Sequence, residues 1–393
     1  MNLIYVASGD ASVYESQVVS LLDYYLKTGN TVTLVQGYKT EKEKKTLKEK
    51  TRLLQNDRYN IIWYRSEPCY LPFVEIHTTH LRKALLSCSN LQNAVIHVRG
   101  EETGFYVKRI LNQSKLKVPI LIDIRGVVYE EVKYRIKNLN FIKGFRFRFQ
   151  KSYFSYIYNR LFQHDQTNIA ISSVSPLIND YLETHFPQCR YKKYFHPNIA
   201  GVNFKYTEEG RIKIRKKYGI KNDAPLAICS TNGNGLWQKD YLVIRHLIEK
   251  GVKVLNLSKY DPHIPGCITT KASFAEMPEY LSAADFAVLW RDDTFMNNSA
   301  SPSKFSEFAV MGLCVIHNKS VEVATKYILL SKAGFLVNQL SDIDNLTFNV
   351  NEIRRKRTEF IKNGRKQFSI EALGPSYIKI YENLLVNKNN IQS

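Results

Sequence analysis

Apolar residues along this chain arrive in short continuous blocks, and between the blocks they recur every three or four positions with polar residues filling the gaps. The blocks Asn2-Leu-Ile-Tyr-Val-Ala7, Thr31-Val-Thr-Leu-Val35, Asn60-Ile-Ile-Trp-Tyr64, Ala94-Val-Ile-His-Val98, Pro119-Ile-Leu-Ile-Asp-Ile124 and Ile169-Ala-Ile-Ser172 have the length and continuity of strands buried on both faces. The intervening periodic stretches predict helices over 13–28, ended at Gly29, and over 41–58, 76–88, 102–114 and 175–185, with Pro119 reinforcing the stop of the fourth. Residues 131–163 read as helical but irregular, with a break at Gly144. A strand, a helix and a parallel strand at the start form the βαβ opening of a doubly wound domain.

Between Pro187 and Phe204 the periodicity lapses around Pro197, Asn198 and Gly201, the composition of a linker. The alternation then resumes. Helix 208–218 and strand Leu226-Ala-Ile-Cys-Ser230 lead to a turn at Thr231-Asn-Gly-Asn-Gly235, helix 239–250, strand Lys253-Val-Leu-Asn-Leu257, helix 275–283, strand Phe286-Ala-Val-Leu-Trp290 and a last assigned strand from Leu313 to Ile316. The tail from Ile370 to Leu385 is amphipathic. The expected organisation is an α/β chain with Rossmann-like domains over 1–195 and 196–369 and a terminal helix over 370–393. No internal repeat or low-complexity stretch is visible.

At 393 residues, 44% apolar and 23% charged, the chain is long enough for two cored domains and too apolar for disorder. No run of about eighteen apolar residues suggests a membrane-spanning helix. The first residues lack the charged start, apolar stretch and small-residue cleavage site of an export signal and read as a strand. Cys69, Cys88, Cys189, Cys229, Cys267 and Cys314 have neither metal spacing nor a paired framework, as expected of reduced thiols in cytoplasm. A structural zinc is not expected.

The formal charge is +20. Part of it lies between Glu131 and Arg160, where Lys133, Arg135, Lys137, Lys143, Arg146, Arg148, Lys151 and Arg160 interleave with Tyr134, Phe141, Phe145, Phe147, Phe149, Tyr153, Phe154, Tyr156 and Tyr158. That composition suits an anionic membrane surface contacted through 131–163, the cations at phosphate headgroups and the rings at the acyl boundary. It equally suits a basic surface helix whose rings pack into the core. Nucleic acid is the weakest reading of the charge, with no zinc-finger spacing, recognition helix or RNA-binding aromatic motif present, and no nucleic-acid partner is expected.

The richest chemistry lies in Ser299-Ala-Ser-Pro-Ser-Lys-Phe-Ser-Glu-Phe-Ala-Val-Met-Gly-Leu-Cys-Val-Ile316, a polar loop entering a helix and then a strand. Ser301 is suited to cap the helix and Pro302 to its first position, which leaves free backbone N–H groups and the positive dipole end for an anion. Lys304 adds a full charge beside them. Glu307, three residues on and two turns from Ser299, shares that face, so the helix can offer a cation to a diphosphate and a carboxylate to sugar hydroxyls. Gly312 ends the helix. Any capped helix of an α/β protein has free N–H groups, so the short pattern alone leaves a ligand site and an ordinary helix start both open.

The run Asn297–Ile316 resembles the donor-sugar motif of retaining GT-B glycosyltransferases, especially family-four-like enzymes that build bacterial capsular and exopolysaccharides. Pro302, Lys304, Phe305, Glu307, Gly312, Val315 and Ile316 carry the likeness, with Ser303, Phe308 and Cys314 in place of Thr, Tyr and Pro. Many members have a second Glu eight residues before the one matching Glu307, where this chain has Ser299. Two weaker pieces are His97-Val-Arg-Gly100 and Asp123-Ile-Arg-Gly-Val-Val-Tyr-Glu-Glu131, the second resembling the Asp-x-Arg-Gly loop of polysaccharide-building relatives. In Gly233–Lys239, where the family has a glycine turn with Arg and a basic residue, Trp237-Gln238-Lys239 stands without the Arg.

The resemblance implies two Rossmann-like doubly wound domains facing across a cleft, with a C-terminal helix crossing back to the first. It implies a nucleotide-sugar-dependent glycosyltransferase, a hexosyltransferase of surface polysaccharide biosynthesis, that retains the anomeric configuration and needs no metal or other cofactor. Its acceptor would be a hydroxyl of a glycan or lipid-linked oligosaccharide, its place the cytoplasm or the inner face of the cell membrane. Donor binding would fall to Lys304, Glu307, Ser303, Ser301, Lys239, Gly235 and Ser299, with Lys239 or Arg125 as second cation for the leaving diphosphate. His97, Asp123, Arg125 and Glu130 are the candidates for catalytic positioning of the acceptor. Each also has a structural reading, His97 as a strand-end histidine bonded to backbone and Asp123 with Arg125 as an ion pair. Two other functions remain open at this stage: a non-catalytic nucleotide-sugar or glycan-binding protein on the same fold, and a nucleotide-sugar hydrolase or epimerase.

Overall fold

A computed structural model describes residues 1–9, 14–66, 76–163, 168–230, 237–258 and 260–392, with side chains throughout except at 76–77, 141–143 and 389–392. The chain divides into two compact units, the first made of Met1–His196 with Leu373–Ser393, the second of Pro197–Ala372.

In the first unit the strands β1 (Asn2–Ser8), β2 (Thr31–Tyr38), β3 (Tyr59–Arg65), β4 (Ala94–Arg99), β5 (Ile120–Ile124), β6 (Ile169–Ser173) and β7 (Lys192–Phe195) form one sheet in the order β3-β2-β1-β4-β5-β6-β7. Every adjacent pair is parallel. The central strands are apolar on both faces because helices cover both, as Leu3, Ile4, Val6, Val95, Ile96, Leu121 and Ile122 show by their complete burial. Strand order reverses between β1 and β4, the place where doubly wound sheets open a crevice at their carboxyl ends.

The second unit repeats the plan with β8 (Leu226–Cys229), β9 (Lys253–Asn256), β10 (Cys267–Thr269), β11 (Phe286–Leu289), β12 (Cys314–His317) and β13 (Gly334–Leu336), all parallel, in the order β10-β9-β8-β11-β12-β13. Its reversal falls between β8 and β11. Both units are thus Rossmann-like α/β sheets. The amphipathic tail is a helix, Ile370–Gln392, and from Leu373 onward it belongs to the first unit.

Several boundaries differ from the sequence reading. Lys192–Phe195, read as linker, is an edge strand on β6; its two lysines suit an edge and hide it from an apolar pattern. The helix expected over 41–58 ends at Thr51 and passes through a tight turn at Arg52–Leu54, after which the Asn56 side chain accepts the Arg58 N–H and turns the chain. Residues 131–163 form two helices, Val128–Asn138 and Phe141–Leu161, and the break is at Leu139, whose backbone is extended, rather than at Gly144. Gly144 lies buried inside the second helix, its N–H donating to the Asn140 carbonyl. The turn at 231–235 and Cys69 lie outside the described residues.

Candidate functional site

The helix Ser303–Val310 follows the loop that leaves the carboxyl end of β11, beside the reversal of the second sheet. Its amphipathic face explains its seat: Phe305 and Phe308 are buried, Phe305 edge-on to Tyr327 and Phe368 at 5.7 and 5.5 Å. Its end is a Schellman turn, with Gly312 N–H bonded to the Ala309 carbonyl and Leu313 N–H to the Phe308 carbonyl. Gly312 takes φ +67°, and a Cβ there would lie 2.7 Å from the Arg357 carbonyl oxygen.

The start differs from expectation. Pro302, not Ser301, is the N-cap, and no side chain caps the helix. Ser301 has a better partner: its hydroxyl accepts the Asn198 N–H at 2.9 Å, while the Asn198 amide donates to the Ser301 carbonyl. The Ser306 hydroxyl closes the clasp by donating to the Asn198 carbonyl at 2.5 Å. Asn198, read as linker, therefore holds the loop that presents the helix start. The first helical N–H groups, of Ser303 and Lys304, have no acceptor within the helix, because Phe305 and Ser306 are the first to reach the Pro302 carbonyl.

Lys304 and Glu307 share one face, as their spacing requires, and Nζ donates to Glu307 Oε2 at 2.9 Å. The lysine is 34% exposed and the carboxylate 2%. Burial raises the Glu307 pKa, and the Lys304 charge opposes that rise. Ser303 is buried at the helix start, and Ser299 is buried with its hydroxyl donating to the Phe295 carbonyl at 2.8 Å. Lys239 does not open a helix; its N–H donates to the Trp290 carbonyl, and Asp240 next to it accepts the Trp290 N–H at 2.7 Å. That pairing brings the 237–240 segment against the end of β11 and beside Arg291, through an antiparallel bridge from Gln238. Arg291 was not singled out from sequence. Burial lowers its pKa to about 10, with Asp240 opposing. Gly235 lies outside the described residues. No group of three or more His, Cys, Asp and Glu among the described residues is arranged to hold a metal ion.

The first unit gathers a second set at the carboxyl ends of β1, β4 and β5. Parallel register puts Tyr5 beside His97 and Arg99 beside Asp123, and Asp123 beside Ser172, so these side chains share one sheet face. Arg125 Nη1 donates to Asp123 Oδ2 at 2.9 Å, and Arg125 also donates to Gln17. Asp123 stays ionised: burial raises its pKa, but Arg125 above all, then His97 and Arg99, bring it well below the usual carboxylate range. His97 is fully buried, and burial lowers its pKa against the pull of Asp123. It bonds to Tyr381 on the terminal helix at 2.7 Å rather than to backbone, and Tyr381 bonds in turn to Tyr25. Glu130 stands apart on the helix Val128–Asn138, taken by Lys133 at 2.9 Å and Tyr181 at 3.3 Å. His97, Asp123 and Arg125 are therefore one cluster, and Glu130 is outside it.

No protein-family model matches the chain, and no curated protein matches it in sequence. Solved structures do. The chain is similar to sucrose-phosphate synthase from Thermosynechococcus elongatus with a TM-score of 0.68 at 12% identity, over 98% of this chain and 99% of that one. It is similar to HepE of Anabaena in complex with UDP-glucose with a TM-score of 0.68 at 11% identity, over 98% and 100%. A third is WaaG, a glycosyltransferase involved in lipopolysaccharide biosynthesis, with a TM-score of 0.64 at 10% identity, over 96% and 99%. At such identities the likeness shows the fold, that of GT-B glycosyltransferases.

Proposed function

We propose that this chain is a nucleotide-sugar-dependent glycosyltransferase, moving a hexosyl group from a nucleotide diphosphate sugar to a hydroxyl of a glycan or lipid-linked acceptor in surface polysaccharide assembly. The observation that carries the reading is the start of the helix Ser303–Val310: two N–H groups without helical acceptors, a partly exposed Lys304 and a buried Glu307 on one face, at the sheet reversal of the second unit. HepE, with its bound UDP-glucose, and WaaG, with its lipopolysaccharide role, support the donor and product classes by analogy of fold.

Cleaving the anomeric bond leaves negative charge on the diphosphate and positive character on the sugar ring. In this reading Lys304 and the Ser303 and Lys304 N–H groups meet the leaving charge, with Lys239 as further cation. On donor binding Lys304 exchanges Glu307 for phosphate, and Glu307 accepts ribose hydroxyls and fixes the donor's orientation. Retention by same-face attack, with the leaving phosphate oxygen taking the acceptor proton, needs no dedicated protein base and no cofactor.

The enzyme is proposed to work at the inner face of the cell membrane. No helix among the described residues is long and apolar enough to cross a membrane. On the helix Phe141–Leu161, however, Tyr153, Phe154, Ile157 and Tyr158 are buried, whereas Phe145 and Phe149 are 52% and 54% exposed beside exposed Arg146, Arg148 and Lys151. Two rings among three cations fit an anionic bilayer surface.

A panel of nucleotide sugars in thermal unfolding tests the donor assignment. At about 100 times Kd a ligand adds about 2.7 kcal/mol to stability, so at least one donor is expected to raise the Tm of the native chain and to lose that effect in Lys304→Ala. No shift with any donor would overturn the proposal.

A further inference from the structure

We propose that the first unit contains a phosphate site at the carboxyl ends of β4 and β5, built on Arg99 and Arg125, and that the acceptor is a phosphate-bearing sugar. Naming the occupant as acceptor rests on the glycosyltransferase reading; the anion site itself is read from this unit alone.

The two strands end alike, His97-Val-Arg99-Gly100 and Asp123-Ile-Arg125-Gly126. Alternation puts His97 and Arg99 of β4 and Asp123 of β5 on the same face, and Arg125, just past the end of β5, joins them through its bond to Asp123. The place lies beside the strand-order reversal between β1 and β4. Just beyond each arginine the space is open, since a Cβ added at Gly100 or Gly126 would meet nothing within 4 Å.

Tyr5 OH, Arg99 Nη1 and Asp123 Oδ1 are buried here without a hydrogen-bond partner, and His97 Nε2, also without one, faces Asp123 Oδ2 at 3.7 Å. Tyr5, His97 and Asp123 are at most 1% exposed. Buried polar groups in native proteins are satisfied by protein, water or ligand, and three such atoms on adjoining strands mark a place built for something polar. The charge is also unbalanced. Asp123 gives Oδ2 to Arg125, and Tyr5, His97 and Asp123 all feel both arginines, so two guanidinium groups face one carboxylate.

The donor set selects the guest. Arg99 Nη1 and Tyr5 OH supply donors, and Arg125, held by Asp123 and Gln17, adds its positive charge beside them, a combination that suits the multiply charged oxygens of a phosphate better than a carboxylate. Asp123 Oδ1, an acceptor in a place that attracts anions, suits a sugar hydroxyl next to that phosphate. Such a group is found on a free sugar phosphate and on a lipid-linked sugar diphosphate.

Isothermal titration of the full chain, saturated with UDP, with inorganic phosphate and glucose 6-phosphate tests this. A second arm measures binding to phosphatidylcholine vesicles carrying a polyprenyl diphosphate. Phosphate is expected to bind the native chain, to weaken about tenfold or more in Arg99→Gln, and to recover in part in Arg99→Lys. Glucose 6-phosphate binding more tightly than phosphate in an Arg99-dependent way assigns the soluble source, and Arg99-dependent vesicle binding assigns the lipid one. Phosphate binding that is absent, or indifferent to Arg99→Gln, overturns the site. UDP binding is read on the same samples: its loss would remove the glycosyltransferase reading and leave the phosphate site, while UDP binding without Arg99-dependent phosphate binding would do the reverse.

Discussion

Replacing Lys304 by Ala separates its two roles. In the free protein Lys304 is the counter-charge of Glu307, a carboxylate only 2% exposed, held at 2.9 Å. Removing it leaves a buried carboxyl without its cation, at a cost of about 1–2 kcal/mol because the lysine end is partly solvated. The Glu307 pKa, already raised by burial, then rises further as the opposing Lys304 charge is gone. The sign follows: a carboxyl with a folded pKa above its unfolded value binds protons more tightly when folded, so the variant should lose stability as pH climbs through that raised value. In the proposed reaction the same lysine meets charge that develops on the leaving diphosphate, and its loss should lower turnover about 10²–10³-fold, equivalent to about 3–4 kcal/mol. Adding Glu307→Gln discriminates the roles, since it removes the stranded carboxylate without restoring a cation. Urea unfolding and initial rates with the stabilising nucleotide sugar are measured on native, single and double variants. Stability is expected to recover in the double variant, whereas its turnover should stay about 10²-fold or more below that of Glu307→Gln alone, which already lacks the ribose contact. A double variant that turns over as fast as Glu307→Gln alone would refute the reasoning, because Lys304 would then serve only to neutralise Glu307.

Gly312→Ala should cost about 2–4 kcal/mol, from the left-handed φ of +67° and the 2.7 Å approach to the Arg357 carbonyl, read as a lowered urea midpoint. Asp285 sits at the amino end of β11, away from the site, and burial raises its pKa while Arg354, Arg211 and Arg215 together pull it below normal; the three pair with it at 2.8–3.3 Å. Asp285→Ala strands the buried Arg215 and should cost about 3–5 kcal/mol, seen as loss of cooperative unfolding or of soluble protein. Burial lowers His317 from 6.5 to about 4, and its ring accepts the Val321 N–H while bonded to the Leu289 carbonyl; His196, bonded to Ser172 and Ser376, is lowered likewise to about 4. The unfolded chain then holds more protons between those values, so stability should be complete above about pH 6.5 and fall toward pH 4, by up to about 3 kcal/mol per histidine. A flat stability profile over that range would contradict it. Phe145→Ser with Phe149→Ser, or Arg146→Glu with Arg148→Glu, should weaken sedimentation with phosphatidylglycerol vesicles, the charge pair in a salt-sensitive way; unchanged sedimentation would discard membrane docking.

The alternation of strands and helices was legible because a strand buried on both faces must be apolar throughout, and β1, β4, β5, β8 and β11 announce themselves that way. The short outer strands β7, β10 and β13 do not, since partly buried edges tolerate the lysines of β7 and the threonine of β10, and β13 is only three residues long. The helix Ser303–Val310 was legible for a local reason: Lys304 and Glu307 meet because they are three residues apart, and Gly312 marks its end. Its clasp was not, because Asn198 reaches Ser301 from 103 residues away and takes the hydroxyl that a local reading spends on a cap. The first unit shows the same limit. A histidine and an aspartate inside apolar strands signal a polar site, but the bond from His97 to Tyr381 spans 284 residues, and nothing near His97 foretells it. Arg99 went unassigned although its strand ends like that of Arg125; the signal was the repeated polar-x-Arg-Gly ending.

The most direct measurement is a crystal structure of the chain with UDP-glucose or whichever nucleotide sugar stabilises it best. The diphosphate is expected at the start of the helix Ser303–Val310, within hydrogen-bond reach of Lys304 Nζ and the Ser303 and Lys304 N–H groups, with Glu307 turned to the ribose. A nucleotide bound elsewhere, with Lys304 still paired to Glu307, would contradict the account.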